Sequence, residues 1–328
     1  MEWLGLAFMQ RALLAALITG VAAPAIGTFL VQRRLSLLGD GLGHLAVAGV
    51  GLAFLTGAAP LPIAIVICVV GAIGIELMRE SGRASGDVGL AILFYGGLSG
   101  GLLLAGLAGQ GAGTLAAYLF GSLLTVTAVE LWVIAGLGLI VVVMTVGLLP
   151  QLFAVCADEP FARSIGLPVR LLNIGVVSLA AITVTVSMRT VGLLLVSALM
   201  VVPVATANHL VIGFRTGLFT SMGLGAVAAL SGTIGSYYLD TAPGALIVVI
   251  AIGLFALSWP VSQALQRRHR PVIEIIEDVP PLGHDVTEDH PHVHDESCGH
   301  PAVHHAGHVD YVHDGHRHAA HDDHYDEH

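Results

Sequence analysis

Long apolar runs separated by short polar punctuation fill the first 270 residues, and the pattern breaks after that. A membrane-spanning helix needs about 20 apolar residues. Runs of that kind lie near 6–31, 42–57, 60–79, 87–108, 128–149, 170–188, 190–210, 216–238 and 243–266. They predict an all-α, polytopic membrane helical bundle of nine spans, within a range of eight to ten. The run at 42–57 is short, and only Arg189-Thr190 divides the two runs within 170–210. The interval 114–125 is apolar but too short to cross, which predicts a re-entrant or interfacial helix. The first 32 residues lack the ordered basic start, short apolar core and cleavage site of a leader, so they read as a retained span.

Arginines orient these spans. Arg33-Arg34, Arg79 with Arg83, Arg163 with Arg170, Arg215 and Arg267-Arg268-Arg270 follow alternate runs. Basic residues favour the cytoplasmic flank, so this alternation predicts an N-terminus outside and a C-terminus inside, with Arg11 and Arg189 as exceptions.

Composition sharpens the class. The chain is 55% hydrophobic and only 11% charged, with mean hydropathy +0.84, where soluble domains carry about 25% charged residues. The net charge of −10 hides two regimes. Residues 1–270 hold 12 Arg and 9 Asp/Glu, whereas 271–328 hold 1 Arg and 14 Asp/Glu. The expected organisation is a transmembrane domain over 1–270 and an acidic, His-rich tail over 271–328. Cys68, Cys156 and Cys298 have no CxxC spacing, so neither a disulfide framework nor a thiolate zinc site is expected.

Three stretches carry candidate chemistry. In Gly39-Asp40-Gly41-Leu42-Gly43-His44 a carboxylate and an imidazole stand four residues apart, which on a helix places them on one face, one turn apart. Both are ligands for divalent metals such as zinc and manganese, and ionisable groups at membrane depth usually serve a function. The glycines allow either local unwinding or close approach of another helix. The competing reading makes Asp40 a helix cap and His44 a packed interfacial residue.

The second stretch is the polar interval 156–168. It predicts a short helix with Asp158 or Glu159 near its start, Pro160 in its first turn and Gly166 after its end. Such a helix either stiffens a loop or docks onto a partner.

The third is the tail. Residues 284–328 hold 14 of the 17 histidines interleaved with 11 Asp/Glu, including His290, His292, His294, His304, His305, His316, His318 and His321. So polar a segment is expected to be disordered. Its imidazoles favour exchangeable transition-metal binding, zinc over manganese, with nickel and cobalt also suited.

Taken together, these motifs resemble the membrane permease subunit of the ABC-type zinc/manganese uptake family, itself similar to the vitamin B12 and siderophore permeases. The resemblance covers about 1–268 and runs in order. It starts at Arg33-Arg34 with Gly39-Asp40 and His44, and continues through Leu119-Phe120-Gly121-Ser122-Leu123-Leu124-Thr125-Val126 and the coupling loop from Asp158 to Gly166. Val191-Gly192-Leu193-Leu194-Leu195-Val196-Ser197-Ala198-Leu199 with Pro203, and Ser236-Tyr237-Tyr238-Leu239-Asp240 with Gly244, complete it.

The resemblance implies that Asp40 and His44 line the metal pathway, with Asp240 as a third, entry-side ligand. It implies that Asp158, Glu159, Ala162 and Gly166 couple to a separate ABC ATPase. It further implies a homodimer and an extracytoplasmic metal-binding protein that docks near 109–127, in the plasma membrane of a prokaryote. Where many members carry Arg, this chain has Asn208-His209.

With no lysine there is no Gly-x-x-x-x-Gly-Lys-Ser/Thr loop, so the chain is not expected to bind or hydrolyse nucleotide; nor does anything point to nucleic acid. The expectation is therefore a non-enzymatic permease for a divalent metal, zinc before manganese, working by alternating access. The alternatives are a proton-coupled secondary metal exporter and an ABC permease for a metal chelate.

Overall fold

A computed structural model describes residues 6–82, 86–110, 113–115, 121, 126–190, 192–268, 285–287, 299–305, 308–313, 316–321 and 324–327. The chain divides into two compact units, Met1–Arg267 and Arg268–His328.

The first unit is a helical bundle: α1 (Ala7–Gln32), α2 (Leu38–Thr56), α3 (Pro60–Glu80), α4 (Gly86–Leu107), α5 (Ala128–Gly147), α6 (Leu149–Ala157), α7 (Glu159–Ser164), α8 (Val169–Thr190), α9 (Leu193–Leu210), α10 (Phe214–Leu239) and α11 (Pro243–Arg268). Eight of these are long and apolar enough to cross a membrane, and α9, with a shorter apolar stretch, takes the place of the seventh expected span. Two boundaries differ from the apolar pattern. Helix α2 starts at Leu38, so the Asp40–His44 signature lies inside the helix instead of leading into it. The break in the 170–210 run falls at Gly192, whose φ of 97° a residue with a Cβ rarely adopts, and α8 itself continues through Thr190. Most of the interval 114–125 lies outside the described residues.

Burial separates central from peripheral helices. The apolar stretches of α1, α2 and α8 are 72%, 67% and 67% buried, while those of α3, α4, α5 and α11 are 22–28% buried and present apolar side chains outward. In lipid no hydrophobic force draws helices together, so close packing and interhelical hydrogen bonds hold them. A Cβ on Gly20 of α1 would sit 2.7 Å from the Gly225 carbonyl oxygen of α10. One side of that same contact is held by a hydrogen bond between the Thr28 and Ser221 hydroxyls at 3.2 Å. Pairing of Thr28 with Ser221 and of Gly20 with Ala229 makes α1 and α10 antiparallel.

Of the second unit only part is described. Its described residues form five short strands, β1 (Asp285–Thr287), β2 (Ala302–His305), β3 (His308–His313), β4 (His316–His321) and β5 (His324–Glu327). They make one antiparallel sheet in the order β1-β5-β4-β3-β2. The physical objection to folding survives in part: Val303, Val309, Tyr311 and Val312 are only half-buried, so the sheet rests on backbone pairing without a dry core around these side chains.

Candidate functional site

Asp40 lies in the first turn of α2 and His44 one turn on. Their depth follows from neighbours. The Cys68 thiol donates to the Leu42 carbonyl at 3.3 Å. Cys68 sits about 18 Å along α3 from Glu80 and about 12 Å from Pro60, at 1.5 Å per residue. The pair therefore stands well inside the bundle, because α2 begins below the surface where α1 ends. His44 is 7% exposed. Its ring packs on Phe94 of α4 with centroids 4.0 Å apart, and its Nδ1 has no protein partner. Asp40 is half-buried and lines a cleft of about 330 Å³ with Leu37, Leu90, Ala91, Phe94 and Tyr95. An unpaired buried ring nitrogen costs about 1–3 kcal/mol, a cost that packing of the ring on Phe94 does not itself offset.

The three glycines of the signature serve close approach, since α2 is continuous. Gly39 faces Ser197 and Met200 of α9, Gly41 faces Leu93 of α4, and Gly43 faces Leu193 of α9. From the other side, α4 brings Gly97 and Gly101 against the α2 backbone. A Cβ on Gly97 would sit 2.5 Å from the Leu45 nitrogen and 2.6 Å from the His44 carbonyl carbon. This is the small-xxx-small device of membrane helices, and its four-residue spacing was a legible signal that the motif reading passed over. Gly97→Leu is expected to force α4 off α2 and lower stability by about 1–3 kcal/mol or more, as overpacking does. Gly100→Leu should be tolerated, because nothing lies within 4 Å of its added Cβ. Thermal denaturation in detergent compares the two.

Asp240 does not join this pair. It is exposed beyond the end of α10, in left-handed conformation with φ 49°. Gly20 lies about 20 Å along α1 from Arg33, and Asp240 stands about 16 Å further out, past the level of Ala229, at 1.5 Å per residue. Helix α2 starts on the Arg33 side of the bundle, so Asp240 stands apart from the Asp40–His44 pair, toward the opposite end. Among the described residues no three His, Cys, Asp or Glu side chains converge on one point. His209 is tied by Nδ1 to the Ser258 hydroxyl at 3.3 Å and stacks on Phe255, which joins the end of α9 to α11.

A second polar centre was not anticipated. Glu76 of α3 and Arg33 at the end of α1 are buried, with 4% and 6% of their side chains exposed, and they pair at 3.2 Å. Arg79 adds two bonds to Glu76 at 2.7 and 3.0 Å. Arg33 is thus an internal ion-pair partner and not only a flanking charge. Its neighbour Arg34 takes φ 58°, turning the chain so that α2 can start inside. The signal available was a lone Glu near the end of an apolar run, whose partner 43 positions away only the fold reveals.

The interval 156–168 has the ends read from its sequence. The Asp158 carboxylate caps α7 by accepting from the Phe161 N–H at 2.9 Å, with Pro160 in the first turn and Gly166 at φ 82° after it. Glu159 pairs with Arg163. Ala162 is buried between Val155 and Val169, holding α7 to α6 and α8. Phe161 and Ile165, one turn apart, stay exposed at 57% and 54% as an apolar pair facing away. Helix α6 in turn rests on α1 and α10, where Phe153 meets Phe214 and Phe214 meets Phe29. Cys156 reaches the Phe29 carbonyl, and burial pushes its thiol up to about 11 despite the charge of Arg33, so it stays a neutral packing group.

In the tail, His304 and His305 lie on β2, and His316, His318 and His321 on β4. His290, His292 and His294 lie outside the described residues, as do most of Leu119–Val126.

Residues 5–262 match the model of the ABC 3 transport family. The manganese transport system membrane protein MntC of Halalkalibacterium halodurans is 32% identical over 259 residues, covering 79% of this chain and 88% of that protein. The chelated iron transport system membrane protein YfeD of Yersinia pestis is 33% identical over 258 residues, covering 76% and 84%. Among solved structures, PsaBC from Streptococcus pneumoniae in complex with Fab is similar with TM-score 0.73 and 28% identity, covering 81% of this chain and 99% of that chain. An inward-facing structure of a metal-chelate type ABC transporter shares the fold, with TM-score 0.57 and 17% identity. The chain belongs to the ABC 3 transport family, and the membrane permease of an ABC-type metal uptake system that its motifs resemble is what it is.

Proposed function

We propose that this permease passes a divalent first-row transition metal inward past Asp40 and His44, driven by a separate ABC ATPase that docks on α7. The observation that carries the reading is the buried, unpartnered His44 Nδ1 one turn from a carboxylate that opens on a cleft. A carboxylate and an imidazole together offer a mixed donor set that zinc and manganese both accept. Zinc is the reading favoured by the imidazoles of the tail. Manganese is the second reading, supported by the manganese transport named for MntC. Family membership supports ABC transport over a proton-coupled exporter. A chelate is the remaining alternative cargo, supported by the chelated iron named for YfeD.

The exposed Phe161–Ile165 pair is an apolar ridge that fits a groove on the ATPase. A second copy of the chain pairs with it, a binding protein delivers the metal from outside, and the C-terminus faces the cytoplasm. The test is a pull-down of the full chain from native membranes with co-purifying proteins identified and metals quantified. An ATPase with zinc supports the reading in full, and an ATPase with manganese moves the cargo to the second metal. Metal with no ATPase removes the importer. Phe161→Asp is expected to lose the ATPase while the chain still folds.

A further inference from the structure

Asp40 and His44 stand one turn apart on α2, yet they do not open on the same space. The cleft of about 330 Å³ is walled, among the described residues, by Asp40 and Phe94 but not by His44. His44 is 7% exposed, and its ring packs on Phe94 with centroids 4.0 Å apart and planes tilted by 60°. Phe94 therefore touches both: it is a wall of the cleft and a cover on the imidazole. Tyr95 continues that wall, edge-on to Phe94 with centroids 5.3 Å apart. A cation drawn to Asp40 meets this apolar ring before it meets the imidazole.

The surroundings fix what can move. Helix α4 is pinned, since a Cβ on Gly97 would sit 2.5 Å from the Leu45 nitrogen and one on Gly101 2.7 Å from the Val47 carbonyl carbon. These glycines lie one and two turns beyond Phe94, so the backbone beneath the ring cannot withdraw without breaking the contact with α2. The side chain is freer. It borders a cleft on the scale of a small-ligand pocket, which leaves room for the ring to turn from one staggered χ1 well to another. Buried polar atoms are normally paired, and the unpartnered His44 Nδ1 would gain access to a partner once the ring moves aside. Apolar constrictions of this kind gate ion paths in membranes.

We propose that Phe94 is the gate between the two donors. With its ring on His44, the cargo metal reaches Asp40 alone; with the ring turned aside, Asp40 and His44 hold the ion together. One carboxylate captures a hydrated ion loosely, whereas a carboxylate with an imidazole is a donor set that zinc and manganese both accept. Metal thus meets Asp40 first and His44 second. This deepens the transport reading above and rests on it.

The experiment measures acylation of His44 by diethyl pyrocarbonate in the purified full chain in detergent, with and without zinc chloride. Peptide mass spectrometry reads His44 apart from the tail histidines. A minor open state is populated to about 10% or less, so His44 should react about tenfold or more slowly in the unaltered chain than in Phe94→Ala. Zinc chloride should slow the reaction in Phe94→Ala, and that protection should be lost when Asp40→Asn is added. Phe94→Leu keeps an apolar side chain on the ring and should show the same zinc-reversible rise at smaller size, which carries the test if the alanine variant melts early. Equal rates in the unaltered chain and both variants would overturn the gate. A faster reaction that zinc chloride does not slow would overturn it too, and uptake by Asp40→Asn then separates the two readings. Lost uptake leaves the pathway standing and removes the gate alone, whereas normal uptake removes the pathway and the gate with it.

Discussion

Asp40→Asn and His44→Gln should each reduce metal uptake to background while the permease still assembles with its ATPase. Both changes keep side-chain volume, so packing against Phe94 and the cleft wall is largely preserved. What they remove is charge from one donor and an aromatic nitrogen from the other. A charge-assisted contact contributes about 1.5–3 kcal/mol, which corresponds to about ten- to hundredfold in affinity. The double variant should bind no better than the weaker single, because the two donors act on one ion. Uptake of radiolabelled zinc and manganese into cells, with membrane levels checked by blotting, gives the answer. Normal uptake by both single variants would remove the pathway from this face of α2.

Glu76→Ala should damage the protein before it damages transport. Removing one member of a buried ion pair leaves the other charge unpaired in a low-dielectric interior and costs about 3–5 kcal/mol. Here the stranded group is Arg33, whose Nη1 already lacks a partner. The damage would fall at the point where α1 ends and α2 starts, directly before Asp40. Lower yield and a lower melting temperature in detergent are expected. The paired variant Arg33→Met with Glu76→Leu should recover much of that loss, since apolar replacement of a buried pair is often neutral or better. If Glu76→Ala melts like the unaltered chain, Glu76 is not what fixes the elbow. The contrast between the two experiments is informative: Asp40 and His44 variants lose uptake in a stable protein, whereas Glu76 variants lose the protein.

Much of this could be read without coordinates. The ends of α7 were legible because capping is local chemistry: Asp158, Pro160 and Gly166 each act within a few residues of where they stand. The Asp40–His44 pair was legible for the same reason, as four residues on a helix make one turn. Glu76 was not, because its meaning depends on Arg33 in another helix. The strand pairing described in the tail was not legible either, because a segment of such high charge predicts disorder and the order of the strands is a relation between separate segments.

By itself, then, the sequence determined that this chain is a polytopic helical bundle with a short capped helix and an Asp–His pair on one helical face. Those properties follow from hydrophobic run length and from spacing along a single helix, which any chain carries with it. Tertiary structure alone decided that α2 begins inside the bundle and that the signature glycines serve contact instead of unwinding. It also decided that Asp240 stands apart from the Asp40–His44 pair, toward the opposite end of the bundle. Depth, contact and distance are relations between segments remote in the chain, and they exist only once helices that have no hydrophobic reason to associate in lipid have packed.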